Sequence, residues 1–194
     1  WLQRMGKGIF VYGSLMSFKV LEALIFNVPK ILPAYVPGMT RLKLKSEVFP
    51  GIMKTSDLSL DNFPPRYHAD VEKYLDPSVQ PNAFLKISKT NHHINKVQGM
   101  VLKNLSPQQI QILDFFELDE YEKKTLPIVV GYDKNWNVEE ADVYVYNHAQ
   151  NLYDFWDFDH FCKKELSEYL EMCADTRVEF FKRQPKPPKY KPAL

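Results

Sequence analysis

A long β-hairpin is the feature that most restricts what this chain can fold into. The stretches YEKKTLPIVVGY (residues 121–132) and ADVYVYNH (residues 141–148) are rich in β-branched and aromatic residues and flank the turn sequence DKNWN. Two such runs around a polar turn predict paired antiparallel strands. An isolated hairpin is marginal in water, so it needs further strands beside it. Candidates stand elsewhere in the chain: a short apolar strand over residues 9–12, an extended stretch over 32–45, a strand entered through FPGIM (49–53), and KVQGMVLKNL (96–105). In the second of these, Leu42 and Leu44 alternate with Arg41, Lys43 and Lys45, as in a half-exposed strand.

Three helices are interleaved with the strands. Ser17 is the expected cap of a helix running to about residue 27, with Val20, Leu21, Leu24 and Ile25 as its apolar stripe and Pro29 and Pro33 as its stop. SPQQIQILDFFE (106–117) carries stronger start signals: Ser106 as N-cap, Pro107 at the first helical position and Gln109 completing a capping box. DFDHFCKKELSEYLEMC (157–173) is amphipathic, with Asp157 as cap and Phe158, Phe161, Cys162, Tyr169, Leu170 and Cys173 on one face. The order of elements predicts an α+β fold, a small mixed β-barrel, closed or nearly so, with flanking helices. At 194 residues, one domain spanning 1–194 is the simplest division.

Two segments stand apart. Residues 55–94 are rich in Pro, Asp, Asn and Ser and read as an insertion with one short helix near 69–74, a lid or a docking surface. The tail QPKPPKYKPAL reads as extended and contains a PxxP from Pro185 to Pro188. A protein partner through the insertion or the 185–194 tail is therefore one expectation. A formal net charge of +1 argues against a nucleic-acid partner. No run of about 18 apolar residues predicts a membrane span. The two cysteines, Cys162 and Cys173, are eleven apart on a helix and form no CxxC, which points to a reduced, cytoplasmic setting. The first residue is Trp1, which leaves an organellar setting open. The five histidines show no metal-ligand spacing, so no metal site is expected.

Two places can carry chemistry. In GIFVYGSLMS a hydrophobic strand stops at Gly13-Ser14. Read alone, this is either a tight turn with a capping serine or a cradle of backbone N–H groups for a carboxylate. A hydrolase using Ser14 is a third reading, although the GxSxG spacing is absent. In ILDFFELDEY, Ile110, Leu113 and Glu117 are spaced to share one helical face. Glu117 then either points inward, with a raised pKa suited to general acid–base work, or reaches solvent at a fraying helix end. Tyr144 and Tyr146 put tyrosines on one strand face, either packed or lining a pocket.

Taken together, FVYGSLM, PGMTRLKLKSEVFPGI, VQGMVLKNLSPQQIQILDFFELDEYEKKTLPIVV, ADVYVYN and WDFDHFCKKELSEYL resemble the γ-glutamyl cyclotransferase superfamily, particularly its avirulence-induced-gene-like branch. The resemblance covers roughly residues 8–54 and 95–172. It implies a cavity for a γ-glutamyl group, with Tyr12, Gly13, Ser14 and Leu15 binding substrate and Glu117 as the catalytic acid–base. Tyr121 and Arg41 match further substrate-side positions. It also implies release of 5-oxoproline from a small γ-glutamyl substrate without metal or organic cofactor. The alternative is a catalytically silent member of the fold that binds a protein through residues 55–94 and the basic tail.

Overall fold

The two strands of the hairpin are twelve residues each and pair along their whole length, from Tyr121 opposite Tyr146 to Tyr132 opposite Asn135. The computed structural model describes residues 7–75, 85–87, 90–117, 120–132 and 135–184. In chain order the elements are β1 (Gly8–Val11), α1 (Phe18–Ile25), β2 (Lys30–Pro37), β3 (Met39–Leu44), β4 (Pro50–Lys54), α2 (His68–Leu75), β5 (Leu85–Lys86) and β6 (His93–Ile94). They continue with β7 (Lys96–Lys103), α3 (Pro107–Glu117), β8 (Tyr121–Tyr132), β9 (Asn135–Tyr146), β10 (Leu152–Phe155), α4 (Phe158–Lys164) and α5 (Leu166–Arg183). Five strands close into a barrel in the order β1-β7-β2-β8-β9. β1 runs parallel to β9, and the other four pairings are antiparallel. The α+β barrel with flanking helices is the fold the sequence predicts.

β1 is apolar at every position because neither of its faces meets water. Ile9 and Val11 pack with the helices, while Phe10 belongs to the barrel interior with Val36, Val97, Ile128 and Val143. The outer cluster takes Val20, Leu21, Leu24 and Ile25 from α1, Ile112 and Leu113 from α3, and Phe161, Tyr169, Cys173 and Phe180 from α4 and α5. Each such side chain contributes about 1.5–3 kcal/mol when fully buried. β7 approaches β1 closely enough to require glycine: a Cβ on Gly99 would lie 2.2 Å from the Val11 carbonyl oxygen.

Helix α3 begins as its sequence dictates. The Ser106 N–H donates to Gln109 Oε1 at 2.9 Å, and the Gln109 N–H donates to Ser106 Oγ at 3.2 Å. Asp157 caps α4 by accepting the His160 N–H at 2.7 Å. Other expectations shift. Ser17 occupies the N-cap position of α1, but its side chain makes no capping bond. Helix α1 stops at Ile25 because Phe26 turns to φ 58°. Pro33 lies inside β2 rather than ending a helix; β2 pairs with β8 only at Ala34 and Tyr35, so Pro33 sits where that side of the strand is an edge. The C-terminal helix is broken at Glu165 and runs on to Arg183. Both cysteines are free thiols.

A three-stranded sheet, β10-β3-β4, flanks the barrel, and buried described residues of the 55–94 segment pack with it. That segment forms three 3-10 turns, helix α2 and the β5–β6 pair among its described residues. Leu58, Phe63, Val71, Ile87 and Ile94 from it are buried in one cluster with Leu42, Leu44, Met53, Leu152 and Phe155. The segment carries its own share of the core. The 185–194 tail lies outside the described residues. Replacing the fully buried Ile94 by alanine should cost about 2–5 kcal/mol, measured as a single cooperative urea transition shifted to lower midpoint. A segment that merely covers the surface would leave that midpoint unmoved.

Candidate active site

The turn after β1 is held from three sides. Met16 N–H bonds to the Gly13 carbonyl at 3.0 Å and Ser17 N–H to the Ser14 carbonyl at 2.9 Å, which winds Ser14–Met16 into a 3-10 turn. The first N–H groups of such a turn have no acceptor inside it. Gly13 lets β4 come close, since a Cβ there would stand 3.0 Å from the Pro50 ring. The Tyr12 hydroxyl donates to the Tyr144 carbonyl at 2.6 Å, and the Tyr12 carbonyl accepts from Arg41 Nη1 at 2.7 Å. Ser14 Oγ and the Tyr169 hydroxyl share a 2.9 Å hydrogen bond. Only one of those two hydroxyls donates to the other, so the second keeps a proton for a ligand.

Beside this turn lies a pocket of about 140 Å³. Tyr12, Gly13, Ser14 and Leu15 form one wall, and Glu117 and Tyr121 line it as well. Glu117 is the last residue of α3, one helical turn beyond the buried Leu113. The inward orientation is the one observed. Among the described residues no group donates a hydrogen bond to its half-buried carboxylate. Burial first, and the charge of Asp114 second, raise its pKa to about 8. Asp114 itself is held by both Lys123 Nζ, at 2.7 Å to each oxygen, and the Tyr144 hydroxyl at 2.7 Å.

The tyrosines stay protonated. Burial pushes Tyr12, Tyr121, Tyr144 and Tyr169 all upward, and the Glu117 charge pushes each the same way. The Tyr121 hydroxyl donates to the Pro50 carbonyl at 2.9 Å, which ties β8 to the pocket wall. Glu117 and Glu120 bring the only charges to the pocket wall among the described residues, and no cation or histidine lines it. Ser14 therefore has no adjacent base, and its partner is a tyrosine with a raised pKa. Nor do three His, Cys, Asp or Glu side chains gather as a metal site among the described residues.

Six of the seven residues singled out in the sequence thus face one cavity. Arg41 does not line it; this side chain reaches the turn through the Tyr12 carbonyl, with its guanidinium 5.1 Å from the Trp156 ring centroid. No described residue of the 55–94 segment lines the pocket either; its buried described residues pack with the β10-β3-β4 sheet. The sequence did not single out Asp114, Tyr169, Phe116 or Pro50. Tyr169 stood in the helical stripe only as a core residue, and Asp114 carried no periodic signal. Tyr144, on the tyrosine-bearing face of β9, lines the pocket.

A barrel with helices on its outside and a carboxylate facing a Gly-Ser turn defines a class, and comparison with known proteins gives the family. The model of the family described as gamma-glutamyl cyclotransferase, AIG2-like, matches residues 59–160. The chain belongs to that family. AIG2-like protein D of Arabidopsis thaliana is 22% identical over 172 residues, covering 88% of this chain and 89% of the relative. AIG2-like protein C of the same plant is 24% identical over 185 residues, covering 90% and 86%. Among solved structures, the solution structure of an Arabidopsis thaliana protein overlays with a TM-score of 0.51 at 20% identity, covering 93% of this chain and 95% of that one. A crystal structure of a yeast γ-glutamyl cyclotransferase specific to glutathione overlays with a TM-score of 0.50 at 11% identity, covering 91% and 97%. At these identities the overlays speak to the fold. Among the described residues no helix is long and apolar enough to cross a membrane.

The Glu117 environment has a consequence for stability. With its pKa raised from 4.5 to about 8, the folded chain holds a proton that the unfolded chain releases, so this group's contribution is full below 4.5 and falls as pH climbs through about 8. Glu117→Gln, which mimics the neutral acid, should raise Tm at about pH 8 and gain little at about pH 4.5. Thermal melts across that window check it; an equal effect at both ends would mean the carboxylate is solvated.

Proposed function

We propose that this chain is a γ-glutamyl cyclotransferase that releases 5-oxoproline from a γ-glutamyl amine or amino acid. The observation that carries this reading is the meeting of Glu117 with Gly13, Ser14 and Leu15 in one pocket. The substrate's α-carboxylate lies against the N–H groups of the 13–15 turn, where a helical start favours negative charge. Its α-ammonium lies toward Glu117 and Glu120. Glu117 takes one proton from the α-amine, whose nitrogen then attacks the γ-carbonyl carbon. A five-membered ring forms, so the attack is intramolecular and proximity supplies much of the acceleration. As the tetrahedral intermediate collapses, the γ-amide C–N bond breaks and Glu117 passes its proton to the leaving amine, then takes the second proton from the former ammonium nitrogen, which becomes the lactam N–H. The hydroxyl left free by the Ser14–Tyr169 pair donates to the developing oxyanion. Tyr12 and Tyr121 hold the walls, and Arg41 fixes the Tyr12 carbonyl. No metal or organic cofactor enters this scheme.

The test is 5-oxoproline release from γ-glutamyl amino acids and γ-glutamyl-ε-lysine. Glu117→Gln should lower kcat/KM about 10²–10⁴-fold. Because the base must be ionised, kcat/KM of the unaltered protein should rise with pH and level off above about 8. No turnover with any γ-glutamyl compound, or undiminished turnover in Glu117→Gln, would overturn the reading.

A further inference from the structure

The Glu117 pocket has a second wall that the proposed chemistry leaves without a role. The 12–15 turn, Glu117 and Tyr121 take up the glutamyl end of the substrate. The rest of the lining faces whatever the γ-nitrogen carries: Phe49 at the entrance to β4, Phe116 of α3, and Met172 and Thr176 one turn apart on α5. Met172 lines the pocket yet is 41% exposed, so it stands at the mouth. Phe116 meets the edge of Tyr169, with ring centroids 6.2 Å apart, which joins α3 and α5 in one wall.

The hydroxyl donors of this pocket are nearly all spent. Tyr12 donates to the Tyr144 carbonyl, Tyr121 to the Pro50 carbonyl and Tyr144 to Asp114. The Thr176 hydroxyl turns back to the Met172 carbonyl at 2.9 Å. Each hydroxyl has one proton to give. The one left over belongs to the Ser14–Tyr169 pair, and the oxyanion takes it. Among the described residues the charges on the pocket wall are Glu117 and the exposed Glu120, both acidic. The arginines of α5 do not line it: Arg177 donates to the Ala23 carbonyl and covers the Phe26 ring, and Arg183 pairs with Glu179.

A γ-glutamyl amino acid carries a second carboxylate beyond the γ-amide. The turn accommodates the first. The second would lie among Phe116, Met172 and Thr176 with no side-chain donor to spare and an acid at the mouth, so it would lose hydration without gaining a partner. A hydrocarbon group has no such penalty, and a flexible methionine adapts to apolar groups of different shape.

We propose that α5 reads the leaving group: Met172 and Thr176, with Phe116 of α3, form a subsite for an uncharged alkyl or arylalkyl amine and discriminate against a leaving amine that carries a carboxylate. This rests on the cyclotransferase reading and selects among its substrates. The γ-amide divides into 5-oxoproline and the free apolar amine, with no other reactant.

The test measures 5-oxoproline release from two compounds that differ only in that carboxylate, γ-glutamyl-isoamylamide and γ-glutamyl-leucine. The first should have a kcat/KM about tenfold higher or more, with the difference mainly in KM. Met172→Lys places an ammonium at the mouth and should move the ratio about tenfold toward γ-glutamyl-leucine. Comparing one ratio between two proteins cancels the intrinsic leaving ability of the two amines. Thr176→Lys, one helical turn on, stands in if the first variant does not fold. Equal or preferred turnover of γ-glutamyl-leucine, or a ratio that neither lysine moves, would overturn this inference and leave the cyclotransferase reading intact. Release from another γ-glutamyl compound but none from the isoamylamide would do the same. No release from any γ-glutamyl compound would overturn that reading, and this inference with it.

Discussion

Everything in this molecule is arranged around a strand four residues long that is buried on both faces. β1 closes the barrel between β7 and β9 and backs the outer helical cluster. Its end is consequently among the most constrained points of the chain. The turn that follows inherits that rigidity: Tyr12 is fastened through its hydroxyl to β9, through its carbonyl to Arg41 of β3, and Ser14 is fastened to α5. A binding turn has to hold its N–H groups still, and here rigid elements do so without help from a ligand.

The pocket beside the turn is electrostatically one-sided. Two glutamates, three buried tyrosines and the half-buried Tyr121 line it, and no cation or histidine does among the described residues. A carboxylate in such surroundings stays neutral to a higher pH than usual, which costs stability once the pH passes its ordinary range and suits it to exchange protons near neutrality. Asp114 sharpens the effect, because Lys123 and Tyr144 keep its charge in place close to Glu117. Arg41 joins the two halves of the structure. One of its nitrogens steadies the turn, while the side chain also lines a separate cleft beside His92.

Much of the fold was readable from local pattern. The capping box at Ser106, the cap at Asp157, the apolar stripe of α1 and the strand runs at 121–132 and 141–148 are all short-range signals, and each marked an element, although β9 begins at Asn135, inside the stretch read as the turn, and ends at Tyr146. Legibility failed where the deciding interaction was distant. β10 has four residues and a positive φ at Asp154, so it carries too little pattern to stand out; it is a strand because β3 lies beside it. Residues 55–94 read as an insertion with one short helix, and α2 stands there, but their polar composition did not show that five of their apolar side chains are buried with strands elsewhere in the chain.

The candidate site divides in the same way. The sequence by itself determined a Gly-Ser turn after an apolar strand and a glutamate on the apolar face of a capped helix, since both follow from residue spacing within a dozen positions. Only the tertiary structure decided that the two share a cavity, that Tyr144 and Tyr169 complete it, and that Arg41 grips the turn from outside it. Those contacts join residues from 29 to 155 positions apart. Periodicity cannot encode them, because they are set by closure of the barrel and by which helix face that closure leaves against β1.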